Sequence, residues 1–213
     1  MRPRGLLVAL AVLGVWLGCP RTAAAHRLDE YLQATRLSLD LDRVGVEIDL
    51  TAGVNLAAQI FASIDTDRDG RISVAEAEAY ARQVLGSVVL TVDGRPASIT
   101  LVDSWFPELG DMSLGVGTIR LHATARASAA AVGRHQISYL NAHRSDASVY
   151  LVNALVPADP RIQIAGQRRD VAQRGMVLDY RVTRDRTWSR TWWLVTGLAM
   201  VGVLGIARRP RRS

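Results

Sequence analysis

Lysine is absent from these 213 residues, cysteine occurs once, phenylalanine twice and proline seven times. A single cysteine, Cys19, excludes an intramolecular disulfide framework and a cysteine-rich zinc site. Low proline content, with 49% hydrophobic and 22% charged residues, argues against a disordered or collagen-like chain and fits one or two packed domains. All 26 basic residues are therefore arginine, and with 20 acids they leave a formal net charge of +6. That surplus is concentrated at the ends. Arg2, Arg4 and Arg21 precede residue 26, and Arg190, Arg208, Arg209, Arg211 and Arg212 flank a hydrophobic stretch near residue 213. Residues 26–187 hold 18 arginines and all 20 acids. A slightly acidic body has no net basic charge with which to neutralise a nucleic-acid backbone, so no nucleic-acid partner is expected.

The ends read as addresses. Residues 1–25 combine Arg2 and Arg4, an apolar run over 5–18 and the small residues Ala23, Ala24 and Ala25, the three parts of a secretory signal peptide. Cleavage after Ala25 removes Cys19 and leaves a mature chain without thiols. Residues 192–207 form an uncharged apolar run of sixteen, about 24 Å as a helix against the roughly 30 Å hydrocarbon core of a bilayer. Trp188, Trp192 and Trp193 supply an interfacial aromatic belt, and the arginines of the basic tail at 208–213 hold it in the cytoplasm. The predicted topology is an extracytoplasmic domain over 26–187, periplasmic or at the cell surface, one transmembrane segment over 188–207 and a short inner tail. A removable sorting tail has the same layout.

Most of the body alternates with period two, the pattern of half-buried strands. Leu37, Leu39 and Leu41 alternate with polar residues, as do Val44, Val46, Ile48 and Leu50 after a turn at Asp42-Arg43. Val88, Leu90 and Val92 lead into Asp93-Gly94, a hairpin turn, and Ala97, Ile99 and Leu101 return. Further strands are expected at 119–126, 135–140, 148–155, 161–166 and 176–182, with 148–156 fully buried. Eight or nine antiparallel strands predict a mainly β fold, an antiparallel β-sandwich. Between Gly53 and Gly86 the period becomes helical. Leu56, Ile60, Phe61 and Ile64 mark one helix, capped by Asn55, and Ala77, Tyr80, Ala81, Val84 and Leu85 mark another, ended by Gly86.

The twelve residues joining these helices run from Asp65 to Glu76, with acidic residues at loop positions 1, 3, 5 and 12 and Gly70 at position 6. Calcium takes six to eight oxygen ligands at 2.3–2.6 Å in a flexible cage. Asp65, Asp67 and Asp69 offer carboxylates at alternate positions, Gly70 permits the sharp turn, Arg71 offers its backbone carbonyl, Ser73 acts through water, and Glu76 returns two oxygens from the exit helix. Ser73 and Glu76 also form a capping box. The segment closely resembles the EF-hand superfamily over residues 54–86. That resemblance implies calcium bound by Asp65, Asp67, Asp69, Arg71, Ser73 and Glu76. EF-hands usually pair and only one loop is present here, so either the sandwich supports the hand or two chains pair theirs. Arg68 and Arg71 reduce the loop's negative charge and point to the weak extracellular class, with Kd of about 10⁻⁴–10⁻³ M.

More loosely, the chain is similar to the extracytoplasmic domains that accompany bacterial nickel/cobalt permease-like membrane proteins. The likeness rests on Ala25-His26 at the predicted cleavage site, the β-rich body and an acidic loop before the Val92-Asp93-Gly94-Arg95 hairpin. No multi-span segment occurs in these residues, so transport does not carry over. A second function follows from His26, whose free amine and imidazole at a mature N-terminus chelate nickel or copper, with His135 or His143 as further ligands. Such a chain would be a transition-metal accessory of a membrane transporter. No nucleophile elbow, zinc-protease helix, phosphate loop or dinucleotide turn is present, and no enzyme is expected. Asp146, Ser148 and His143 make an unconvincing triad, and Arg168-Arg169-Asp170 reads as a self-paired charge cluster. The leading reading is a non-enzymatic calcium-binding module, structural, sensing or interacting, anchored by a single span. Its expected partners are the membrane and another membrane protein or a second hand.

Overall fold

The computed structural model describes residues 29–128 and 130–184. The predicted signal peptide, His26, the tryptophans and the apolar run at 192–207 lie outside them. Among the described residues no helix is long and apolar enough to cross a membrane.

The body is mainly β. Among the described residues ten strands form two five-stranded sheets. One sheet orders β5 (Ile99–Trp105), β6 (Thr118–Arg126), β2 (Arg43–Ala52), β1 (Tyr31–Leu39) and β8 (Ser148–Ala154). The other orders β4 (Arg95–Pro96), β3 (Val88–Val92), β7 (Gly133–Asn141), β10 (Gly175–Val182) and β9 (Ile162–Arg169). Alternate residues of both sheets join one core, with Val46, Ile48, Leu121 and Leu178 fully buried. Cross-sheet hydrogen bonds tie the layers directly: Thr35 Oγ1 to Tyr139 Oη at 2.9 Å, and Asn141 Nδ2 donating to Gln33 Oε1 at 2.9 Å.

Several expectations need correction. After the Asp93-Gly94 turn only Arg95 and Pro96 form the returning strand beside β3, while Ile99 and Leu101 cross to β6 in the other sheet. The pairing is not antiparallel throughout, because β1 and β8 run parallel, Tyr31 opposite Ser148 and Leu37 opposite Ala154. A parallel neighbour needs a crossover, and the chain from β2 through β7, which visits both sheets, supplies it. Strand β8 is an edge, paired only with β1, so Tyr150 and Val152 are buried while Val149 and Leu151 stay 39% exposed. Arg168, Arg169 and Asp170 do not pair with one another. Arg168 meets Asp179, Asp170 meets Arg174, and Arg169 donates to the Val152 carbonyl and Asn153, closing the side of the fold where β9 passes β8.

The helices sit at one pole. α1 (Val54–Ile64) follows Ala52 directly and buries Ala57, Ile60, Phe61 and Ile64. Its N-cap is Gly53, not Asn55: the Gly53 N–H still bonds the Glu30 carbonyl at 2.8 Å, and the Gly53 carbonyl then accepts from Leu56 and Ala57. α2 (Val74–Gly86) buries Tyr80, Ala81, Val84 and Leu85. A short helix, α3 (Leu109–Ser113), unanticipated from the sequence, packs on α1 through buried Met112.

Candidate metal centre

The loop between α1 and α2 is built by its own polar groups. Asp65 terminates α1 with its N–H on the Phe61 carbonyl, then turns its carboxylate inward: Oδ1 accepts from the Asp69 N–H at 3.2 Å and Oδ2 from the Gly70 N–H at 3.0 Å. Asp67 Oδ1 accepts from the Asp69 N–H at 3.1 Å, and Asp69 Oδ1 from the Arg71 N–H at 2.8 Å. Such short-range bonds are the reason aspartates favour turns over helix interiors. Arg68 and Gly70 adopt left-handed backbone, φ 62° and 81°, and Gly70 does so without a Cβ penalty.

At the far side Ser73 caps α2. Its hydroxyl donates to Glu76 Oε2 at 2.8 Å, its N–H donates to the same oxygen at 2.9 Å, and the reciprocal capping box is complete. Glu76 Oε1 accepts from the Thr66 hydroxyl at 2.9 Å and from the Thr66 N–H. The donors from Ser73 and then Thr66 hold the Glu76 carboxyl down at about 2, so it is ionised at neutral pH. Asp67 is shifted the other way. The Asp69 N–H favours its charge, but lost hydration and the charges of Asp69 and Glu76 outweigh that and raise it.

Carboxylate oxygens of Asp65, Asp67 and Glu76 converge to within 4.8 Å of one another. Two oxygens on one calcium ion at 2.3–2.6 Å are separated by at most about 5 Å, so these three groups fit a shared ion with little movement. Asp69 lies on the same loop, outside that convergent set, with its carboxylate on the Arg71 N–H. Ser73 has its hydroxyl committed to Glu76. Arg71 and Arg68 are exposed. Asp65 and Glu76 are buried, 6% and 9% exposed, and every donor in the set is a hard oxygen, the chemistry of calcium or magnesium rather than nickel or copper.

Two features escape a pattern reading. Thr66, at an unspecified loop position, supplies two of the donors on Glu76. And Tyr80, one turn after Glu76 on α2, opens a buried polar chain: its hydroxyl lies 2.9 Å from Tyr31 Oη and 3.2 Å from His143 Nε2. The His143 carbonyl accepts from Gln33 Nε2 at 2.7 Å and Tyr150 Oη at 2.8 Å, and its N–H donates to Asn141 at 2.9 Å. Burial, then the nearby Arg144, hold the imidazole neutral with its pKa lowered to about 4. The spacing from Glu76 to Tyr80 was a visible signal; the long-range partners were not.

The remaining histidines do not cluster. His135 and His143 lie at opposite ends of β7, with the Asp93 carboxylate and the Ala131 carbonyl on the His135 ring and Tyr80 on the His143 ring. Ser148 Oγ contacts the His143 carbonyl, not its ring, so no nucleophile–base pair forms there. No protein-family model matches this chain, and no curated protein is significantly similar to it.

Proposed function

We propose that residues 54–86 form a calcium-binding EF-hand on an extracytoplasmic β-sandwich anchored to the membrane by residues 188–207, and that the ion acts structurally or as a sensor of its surroundings. The convergence of the Asp65, Asp67 and Glu76 carboxylates carries this reading. Asp69, the Arg71 carbonyl and a water beside Ser73 complete the expected ligand set. Ile72, at the apolar loop position, packs against the hydrophobic core that the helices share with the sheets, which supports the reading in which the domain takes the place of a second hand.

Calcium links the end of α1 to the start of α2, and Glu76 leads along α2 to Tyr80 and the buried chain at Tyr31 and His143. Occupancy therefore fixes the helices on the sheets. A ligand that binds only the folded state adds RT ln(1 + [Ca]/Kd), about 0.4–1.4 kcal/mol in about 1 mM calcium at an affinity of about 10⁻⁴–10⁻³ M. Millimolar calcium should raise the melting temperature by a few degrees, about 2–4 °C per kcal/mol for a domain of this size. Asp65→Ala should remove the rise; a melting temperature indifferent to calcium in the unmutated chain contradicts the reading. The nickel or copper alternative draws no support from the described histidines, which are separated and hydrogen-bonded.

A further inference from the structure

The pole opposite the helices has its own chemistry. There the Asp93-Gly94 turn of one sheet meets the end of β6 in the other, around a cleft of about 370 Å³ lined by Val92, Asp93, Arg95, Arg126, Ala127 and Ser128 among others. That volume is at the lower end of the roughly 300–1,000 Å³ of small-ligand sites. Carboxylates at this pole are engaged. Asp93 receives the His135 ring at 2.7 Å on Oδ2 and the Gln136 N–H at 2.8 Å on Oδ1. Asp40 and Asp42 face Arg43, and Asp159 faces Arg161. Among the described residues no carboxylate lies within ion-pair distance of Arg95 or Arg126 in the cleft, although the charge of Arg95 acts on Asp93 across it, and both arginines are exposed. The body is slightly acidic as a whole, yet this cleft presents two guanidinium groups without a close carboxylate, and their planar donors match phosphate oxygens.

The same pole is where the chain leaves toward its apolar run. Val182, at the end of β10, pairs with Gly133, two residues from the His135 that holds Asp93. Nine residues separate Val182 from Trp192, so the tether reaches at most about 35 Å. Two valines flank the cleft pole on its loops, Val132 at 58% and Val156 at 91% exposure. Basic groups around a concavity, apolar tips beside them and a short tether to a span together match a bilayer surface.

We propose that this cleft binds a phosphate group through Arg95 and Arg126, and that the phosphate is that of an anionic lipid headgroup; the lipid assignment rests on reading residues 188–207 as a membrane span. The test uses the full chain in nanodiscs of phosphatidylcholine alone or mixed with phosphatidylglycerol, read by hydrogen exchange. Amides of 93–97 and 126–134 should exchange several-fold more slowly in the anionic discs. The Arg95→Gln/Arg126→Gln double variant should lose that difference, and Arg82→Gln on the opposite pole should keep it. Equal exchange in both discs overturns the proposal. Inorganic phosphate added to neutral discs tests the source: the same protection from phosphate assigns the cleft to a soluble anion and overturns the lipid assignment. A chain that fails to enter either disc overturns the membrane reading alone, and inorganic phosphate then decides the cleft, absence of protection refuting it.

Discussion

At the residue scale, Glu76 serves two roles that compete. It caps α2 and gathers the Thr66 and Ser73 donors, and it is also the proposed ligand that closes the ion's cage. Glu76→Gln keeps the shape but weakens the cap, so the variant should be less stable without calcium as well as unresponsive to it. The calcium response, not the baseline, is the diagnostic quantity. Gly70 is a cleaner probe. Its φ of 81° disfavours any side chain although nothing lies within 4 Å of a Cβ placed there, so Gly70→Ala should cost about 1–2 kcal/mol from backbone conformation alone. Denaturant midpoints compare it with the unmutated chain. Tyr80→Phe leaves Tyr31 Oη and His143 Nε2 short of a buried partner and should cost about 1–3 kcal/mol, while keeping calcium binding at Asp65 and Glu76. Loss of the calcium response in Tyr80→Phe would place the ion's effect in the buried chain rather than in the loop.

At the scale of elements, two glycines make a contrasting pair. A Cβ at Gly117 would lie 2.7 Å from the Met112 nitrogen and 2.9 Å from the Asp111 carbonyl carbon, both backbone. Gly117→Ala must displace α3 and should destabilise by about 2 kcal/mol or more. A Cβ at Gly45 meets only the Ser38 hydroxyl, which can rotate away, and Gly45→Ala should fall within about 1 kcal/mol of the unmutated chain. Equal, small costs in both variants would show that α3 is dispensable. Element identity was largely legible because apolar residues alternate cleanly along β2, β6 and β10, and because helical spacing changes sharply at Gly53. The first half of β1 was not legible. Its inward positions include Gln33 and Thr35, whose partners, Asn141 and Tyr139, lie over a hundred residues away, so no local apolar pattern announces the strand. The parallel β1–β8 pair was hidden for a related reason, since strand order depends on long-range pairing that residue spacing does not encode. Within the metal loop, ligand positions followed from the twelve-residue pattern, whereas the role of Thr66 required the fold of the loop.

At the scale of the whole molecule, two histidines give acid stability opposite signs. His143 is held neutral with a pKa near 4, below its ordinary 6.5. The unfolded chain binds that proton first, so stability falls as pH drops from about 6.5 toward 4, by up to about 3 kcal/mol. His135 is raised instead. Burial opposes its charge, but the bond to Asp93, helped by the Ala131 carbonyl, outweighs this. Its stabilisation is complete below about 6.5 and fades as pH rises through the elevated value. His143→Gln should flatten the loss between about pH 6.5 and 4.5 in urea unfolding, whereas Asp93→Asn should leave the slope in that window and instead abolish the loss that His135 contributes as pH rises above about 6.5. An unchanged slope in His143→Gln would mean that the imidazole is not neutral in the folded chain.

The helix pole and the arginine pole divide the molecule between a proposed ion site and a proposed membrane-facing surface, with one core joining them. The most direct measurement of the central claim is a calorimetric titration of the chain with calcium, repeated with magnesium and with Glu76→Gln. The expected result is one calcium per chain, tighter than magnesium and absent from the variant. No calcium binding, or binding that survives loss of the Glu76 carboxylate, would contradict an EF-hand at this loop.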